Sequence, residues 1–166
     1  GSGKSYSMVM FARKVKRKIK GNFTFLIITD RDDLNTQIHK NFVRTEVIGP
    51  KDECEPKSGE QLRDYLTKNK EFVFTLIQKF RYDKTKKFPV LSERNDIIVL
   101  VDEAHLLLTK PDSYNNFNEE NQLEEIIRHS KVAILVYDDK QVLKMKSYWD
   151  EEKLYSITKD CNTGNY

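Results

Sequence analysis

At 166 residues the chain can bury one core without disulfide or metal staples, so a single domain over residues 1–166 is expected. Hydrophobic residues make up 38% and charged residues 33%, with no apolar run long enough for a membrane-spanning helix; no membrane partner is expected. The 29 basic and 26 acidic side chains leave +3, too little to bind polyanions through bulk charge, so any nucleic-acid contact must come from local patches.

The chain opens on Gly1-Ser2-Gly3-Lys4-Ser5, inside a recognisable motif and without a Met, so a longer parent protein is expected. From Ser5 to Lys20 the apolar residues Met8, Phe11, Val15 and Ile19 recur at helical spacing, and Gly21 with Asn22 supplies a stop. Phe23 to Thr29 is a nearly continuous apolar, β-rich run, the pattern of a strand buried on both faces of a parallel sheet. A helix is predicted from about Leu34 to Phe42. The stretch from Val47 to Glu60 has turn chemistry and few apolar anchors, so a surface connection is predicted there, followed by a short helix over Gln61 to Asn69.

Phe72 to Leu76 and Ile97 to Val101 are further buried-strand candidates, separated by the basic stretch RYDKTKKFP. Asp112 to Asn118 is polar, Gln122 to His129 has helical spacing, and Val132 to Val136 is a fourth buried strand. Strands that alternate with helices and end in polar residues predict a three-layer α/β domain with a largely parallel sheet, with ligands at the carboxyl ends of the strands. Cys54 and Cys161 are isolated, which argues against a disulfide framework or zinc site and for a reducing, cytoplasmic setting.

Two motifs carry chemistry. Gly1 to Ser5 matches the end of the pattern GxxxxGK[ST] and opens a helix: glycines let backbone amides wrap an anion, Lys4 can reach the β and γ phosphates of ATP, and the Ser5 hydroxyl can ligate Mg²⁺. The bland alternative is a tag remnant joined to an ordinary helix. The second motif is the apolar strand Ile97 to Val101 delivering Asp102 and Glu103. Asp102 would hold Mg²⁺ through its shell and Glu103 would polarise the attacking water, because phosphoryl transfer needs charge neutralisation and an oriented nucleophile. Solvated acids at a strand end are the plain alternative, made less economical by GSGKS upstream.

GSGKS with Asp102-Glu103-Ala104-His105 resembles the first RecA-like domain of superfamily 2 helicases and translocases. Thr29-Asp30-Arg31-Asp32-Asp33-Leu34-Asn35-Thr36-Gln37 and Thr75-Leu76-Ile77-Gln78-Lys79-Phe80 are similar to the TDRxDLxxQ and TIQKF segments of type I restriction enzyme R subunits, the motor and endonuclease subunits of those complexes. The likeness covers residues 1 to about 105. It implies a second RecA-like domain in the parent, DNA, in duplex form, as the track, modification and specificity subunits as partners, and a place for the Arg31 segment near the DNA path. Beyond His105 the R-subunit pattern lapses. Val132 to Val142, with Asp138 and Gln141, instead resembles the strand-Asp-x-x-Gln element of superfamily 1 helicases and of a Schlafen-like helicase group. That likeness implies that Asp138 and Gln141 face the γ-phosphate, Gln141 as its sensor.

Two basic groups stand out. Arg13, Lys14, Lys16, Arg17, Lys18 and Lys20 crowd the end of the first helix, where the helix dipole favours cations and a solvated face explains them. Lys79, Arg81, Lys84, Lys86 and Lys87 are the better candidates for nucleic-acid contact, with Arg31. His39 and His129 lack companions at metal spacing and are expected to be surface or packing residues; Tyr148 and Trp149 are of a type that stacks on bases, with core or interdomain packing the expected role. The preferred reading is thus the ATP-hydrolysing motor domain of a DNA translocase. Its rivals are a superfamily 1 Schlafen-like helicase or ATPase and, in another class, a nucleotide-binding switch or interaction module without catalysis.

Overall fold

In the computed structural model of the chain, residues 3–80, 92, 94, 96–102, 132–135, 152 and 155 are described. Their elements are α1 (Lys4–Lys18), β1 (Thr24–Thr29), α2 (Asp32–Arg44), α3 (Gly59–Thr67), β2 (Phe72–Leu76), a 3-10 turn (Ile77–Phe80), β3 (Ile97–Val101) and β4 (Val132–Leu135). The four strands form one parallel sheet in the order β2-β1-β3-β4. The expected α/β architecture with a parallel sheet is therefore what the chain builds. The predicted segments at Asp112 to Asn118 and Gln122 to His129, and Cys161, Tyr148 and Trp149, lie outside the described residues.

Every residue of β1 and β3 is buried, which is why both read as unbroken apolar runs rather than alternating ones. Phe25, Ile27, Phe72, Phe74, Ile98 and Leu100 share one face and form a single cluster with Met8, Val9, Ala12 and Val15 of α1 and Ile38 and Phe42 of α2. Phe42 meets Phe72 and Phe74 edge-on, at 5.5 and 5.2 Å between ring centroids, while Phe25 stacks on Phe72 at 5.1 Å. Each such ring, fully buried, contributes about 1.5–3 kcal/mol of apolar transfer, so this face anchors both helices. Residues of the opposite parity, among them Leu26, Ile28, Val73, Val99 and Val101, are buried too.

Three sequence expectations need adjustment. α1 buries Met8, Val9, Ala12 and Val15, whereas Phe11 is only partly buried. Ile19 is the extended residue that ends the helix and is exposed, because the helix stops at Lys18 rather than Lys20. The connection between α2 and α3 is also better anchored than its composition suggests: Ile48, Cys54 and Pro56 are buried, and the Cys54 carbonyl accepts from the Phe74 amide at 2.8 Å, covering the outer edge of β2. Burial pushes the Cys54 thiol up to about 11, helped by the nearby Asp52 carboxylate, so it is a core group and not a nucleophile at neutral pH. Finally, β4 is less buried than predicted, with Val132 42% exposed.

Of the two roles open to it, surface or packing, His39 takes packing, its ring 4.9 Å from that of Phe74 and its Nδ1 2.8 Å from Glu55 Oε1. α3 begins at Ser58, whose hydroxyl accepts from the Gln61 amide at 3.1 Å while the Gln61 side chain accepts from the Lys57 amide at 2.6 Å, so both ends of the cap are satisfied.

The amino end of the sheet is gathered by one guanidinium. Arg94 donates through Nε to Asp96 Oδ1 at 2.9 Å and through Nη1 to Thr24 Oγ1 at 2.9 Å and to the Leu66 carbonyl at 2.7 Å; its Nη2 donates to Asn69 Oδ1. These bonds join the approach to β3, the start of β1 and the end of α3. Replacing Arg94 by Ala leaves the fully buried Thr24 hydroxyl with only its 3.3 Å bond to Asn69 Oδ1, removes the Arg94 donors from the Leu66 carbonyl and Asp96, and lowers unfolding stability by about 2–4 kcal/mol. Urea denaturation of wild type and Arg94→Ala checks this; a difference under about 0.5 kcal/mol, the range of ordinary surface changes, would contradict the role given to Arg94.

Candidate nucleotide site at the carboxyl ends of the strands

β1 connects outward to β2 on one side, while β3 lies on its other side, so the chain reverses its direction of travel across the sheet between β1 and β3. In open parallel sheets the crevice for a ligand forms beyond the carboxyl ends of the strands at such a reversal. Asp102 stands there. It follows β3 directly, its amide donates to the Ile28 carbonyl of β1 at 3.0 Å, and it is 4% exposed. A carboxylate withdrawn that far from water needs compensation, and Asp102 is partnered in the fold.

The direction of α1 follows from its other end. Lys16 Nζ lies 2.6 Å from Glu71 Oε1 and 5.4 Å from the centre of the Phe72 ring, both at the amino end of β2. Lys4 lies twelve residues earlier on the same helix, which at 1.5 Å per residue is roughly 18 Å away. A five-residue strand is about as long. The start of α1 therefore reaches the level of the carboxyl ends of the strands, the same end of the sheet as Asp102.

That helix start is built for an anion. Gly3, with φ 71° and ψ −3°, is left-handed, and nothing lies within 4 Å of where a Cβ would stand, so the backbone faces open space. Among the described residues no side chain caps α1, and no acid sits in its first turn, in contrast to α3, capped by Ser58, and α2, which starts with Asp32 and Asp33. Uncapped helix donors together with the positive end of the helix dipole favour phosphate. Ser5 is buried at 9% exposure and Lys4 is half-buried, so a hydroxyl and an ammonium flank the same helix start. With Asp102 the oxygen donors here, one hydroxyl and one carboxylate, suit a Mg²⁺ ion that keeps several waters.

Of the sequence candidates, Gly3, Lys4, Ser5 and Asp102 are thus brought to one end of the sheet, while Gly1, Ser2, Glu103, Asp138 and Gln141 lie outside the described residues. Arg31 is at the same end. It is the extended residue before α2, with its side chain 61% exposed and Nε 3.7 Å from Asp30 Oδ1. Lys79 is engaged differently, its Nζ donating to the Pro56 carbonyl at 2.5 Å. Arg81 and Lys84 lie outside the described residues. Among the described residues no cluster of His, Cys, Asp and Glu could hold a metal on its own, and no helix is long and apolar enough to cross a membrane.

One residue escaped the sequence reading of this region. Gln78 donates through Nε2 to the Asp30 carbonyl at 2.7 Å, linking the exits of β2 and β1. In the sequence it figures only within the Thr75 to Phe80 segment quoted for its resemblance, which says nothing of this bond.

With this geometry in view, the match to known proteins is direct: the family model of the SWI2/SNF2 ATPases covers residues 1–116. The chain belongs to the SWI2/SNF2 ATPase family. Its fold is thereby the α/β, RecA-like one expected, and its class is that of helicase-like ATPases. The resemblance to type I restriction subunits is borne out as well. The chain is 39% identical over 110 residues to the type I restriction enzyme HindI endonuclease subunit of Haemophilus influenzae, and 34% identical over 108 residues to a type I restriction enzyme MjaIXP endonuclease subunit of Methanocaldococcus jannaschii. Each alignment covers 63% of this chain and 10% of the relative. An uncharacterised Saccharomyces cerevisiae protein is 56% identical over 54 residues, 32% of this chain and 12% of that protein. The chain therefore spans about a tenth of the relatives it matches. No solved structure matches it.

For this SWI2/SNF2 ATPase the left-handed Gly3 makes a specific prediction. A Cβ there meets no neighbour, so Gly3→Ala is penalised through its backbone alone, by about 1 kcal/mol, and Gly3→Asn, which tolerates that region better, by less. Thermal denaturation of the two variants beside wild type checks the order; equal stability of all three would mean that Gly3 is not held left-handed.

Proposed function

We propose that this chain is one RecA-like motor domain, residues 1–166, of an ATP-driven DNA translocase similar to the type I restriction endonuclease subunits. The single observation that carries the reading is the meeting of the uncapped, left-handed start of α1 with the buried Asp102 at one end of the sheet. In this reading the backbone from Gly1 to Ser5 cradles the ATP phosphates and Lys4 pairs with the β and γ phosphates. Ser5 and Asp102 hold Mg²⁺, Ser5 directly and Asp102 through its shell; the ion, when bound, supplies charge neutralisation on the phosphate oxygens.

Glu103 then accepts a hydrogen bond from the attacking water and orients it, and Asp138 and Gln141 face the γ-phosphate. The Gln141 amide can donate to a phosphate oxygen and lose that bond on hydrolysis, giving the motor two states. A second RecA-like domain in the parent protein would convert that change into movement along duplex DNA. Arg31 and the basic residues Arg81 and Lys84 supply phosphate contacts to the track, while Lys79, its ammonium held by the Pro56 carbonyl, braces the turn behind Arg31. A modification and a specificity subunit are the partners that the restriction relatives suggest. A reducing, cytoplasmic setting fits the buried free thiol of Cys54.

ATP hydrolysis by the full-length protein, with and without duplex or single-stranded DNA, tests this. Duplex DNA should stimulate turnover, and Lys4→Ala and Glu103→Gln should each lower kcat by at least about a hundredfold, the scale on which oriented charge and acid–base groups act. Stimulation by single strands alone would favour a superfamily 1 type motor. ATP binding without turnover under any condition would replace the motor with a nucleotide-operated switch.

A further inference from the structure

The parallel register sets Thr29 at the end of β1 beside Leu76 at the end of β2, so the two chains leave the sheet side by side. Just beyond, Gln78 Nε2 donates to the Asp30 carbonyl at 2.7 Å, and the Thr29 hydroxyl donates to the Arg31 carbonyl at 3.3 Å. Two consecutive carbonyls of the turn leading into α2 are thereby taken by side chains. A turn held at both carbonyls has one shape, and that shape projects the Arg31 side chain into solvent.

The 3-10 turn that carries Gln78 is itself held through the next residue, Lys79. Lys79 Nζ donates to the Pro56 carbonyl, and a Cβ on Gly59 would stand 2.9 Å from the Lys79 carbonyl, so the start of α3 rests closely on the 3-10 turn. A side chain anchored on so firm a support transmits little slack. The other end of the Gln78 amide, Oε1, is buried without a hydrogen-bond partner. A Met of the same length would fill that space without the cost of an orphan acceptor, so packing alone does not account for an amide here.

We propose that Gln78 is a positioning residue for nucleic-acid contact: its donor end fixes the Asp30 carbonyl and so aims Arg31 at a backbone phosphate of the DNA. The inference rests on the reading above that this end of the sheet meets the track, and it assigns Gln78 a part in DNA binding rather than in ATP chemistry. A charge that is pre-aimed loses less conformational freedom on binding than one on a mobile turn, which raises affinity without adding a contact.

The test uses the full-length protein and a short DNA duplex, with binding followed by fluorescence anisotropy across a salt series for wild type, Gln78→Met, Arg31→Ala and the double variant. Gln78→Met should weaken binding roughly tenfold and shrink the slope of log affinity against log salt by about one, as Arg31→Ala does. The double variant should bind no more weakly than Arg31→Ala alone, and in Gln78→Met the KM for ATP without DNA should stay at the wild-type value. Additive losses, or an unchanged salt slope in Gln78→Met, would make Gln78 a merely structural residue. Wild-type binding by Arg31→Ala would remove the contact being positioned while leaving the motor reading standing. A wild-type protein that ignores duplex DNA would overturn the translocase reading and this inference with it.

Discussion

The parallel pairing of β1 with β3 is the constraint on which the rest of this molecule depends. It sets Ile28 beside Val101 and lets the Ile28 carbonyl receive the Asp102 amide, so the one fully buried acid of the described residues is pinned between two strand exits. It also creates the reversal in strand order, with β2 on one side of β1 and β3 and β4 on the other, the place at which open parallel sheets take their ligands. Were β1 and β3 separated by another strand, the Asp102 amide could not reach the Ile28 carbonyl beside the turn at Asp30 and Arg31.

The two ends of the sheet are specialised in opposite ways. At the amino end, Arg94 satisfies Thr24, Leu66, Asn69 and Asp96 together, and Lys16 closes on Glu71, so polar groups are paired and the chain is held. At the carboxyl end, α1 begins on a left-handed glycine with no side-chain cap among the described residues, and Asp102 is buried at the same end of the sheet. The paired polar groups at the amino end make that side the rigid one.

Much of this was legible in the residues. The strands announced themselves because burial on both faces demands unbroken apolar runs, and the placing of Gly3, Lys4, Ser5 and Asp102 at one end of the sheet was legible because a glycine-led helix start and an acid directly after a buried strand both belong at strand exits. The strand order was not legible, since β1, β2 and β3 are chemically interchangeable and their pairing is settled by crossovers. The connection from Val47 to Glu60 misled because its anchors, Ile48, Cys54 and Pro56, are single residues among polar ones, and its cover over β2 works through a main-chain carbonyl. Gln78 was quoted for resemblance but not for its bond, because a donor that finds a carbonyl 48 residues away leaves no pattern in sequence.

The central claim is that nucleotide binds where α1 begins and β3 ends. Hydrogen–deuterium exchange on the full-length protein, with Mg²⁺ and a non-hydrolysable ATP analogue, tests it most directly, because it reports where amides become protected. The account predicts slowed exchange in the first turn of α1 and around Asp102, with the segments around Asn69 and Arg94 unchanged. Saturating nucleotide that leaves the first turn of α1 unprotected, or that protects the Arg94 end instead, would contradict it.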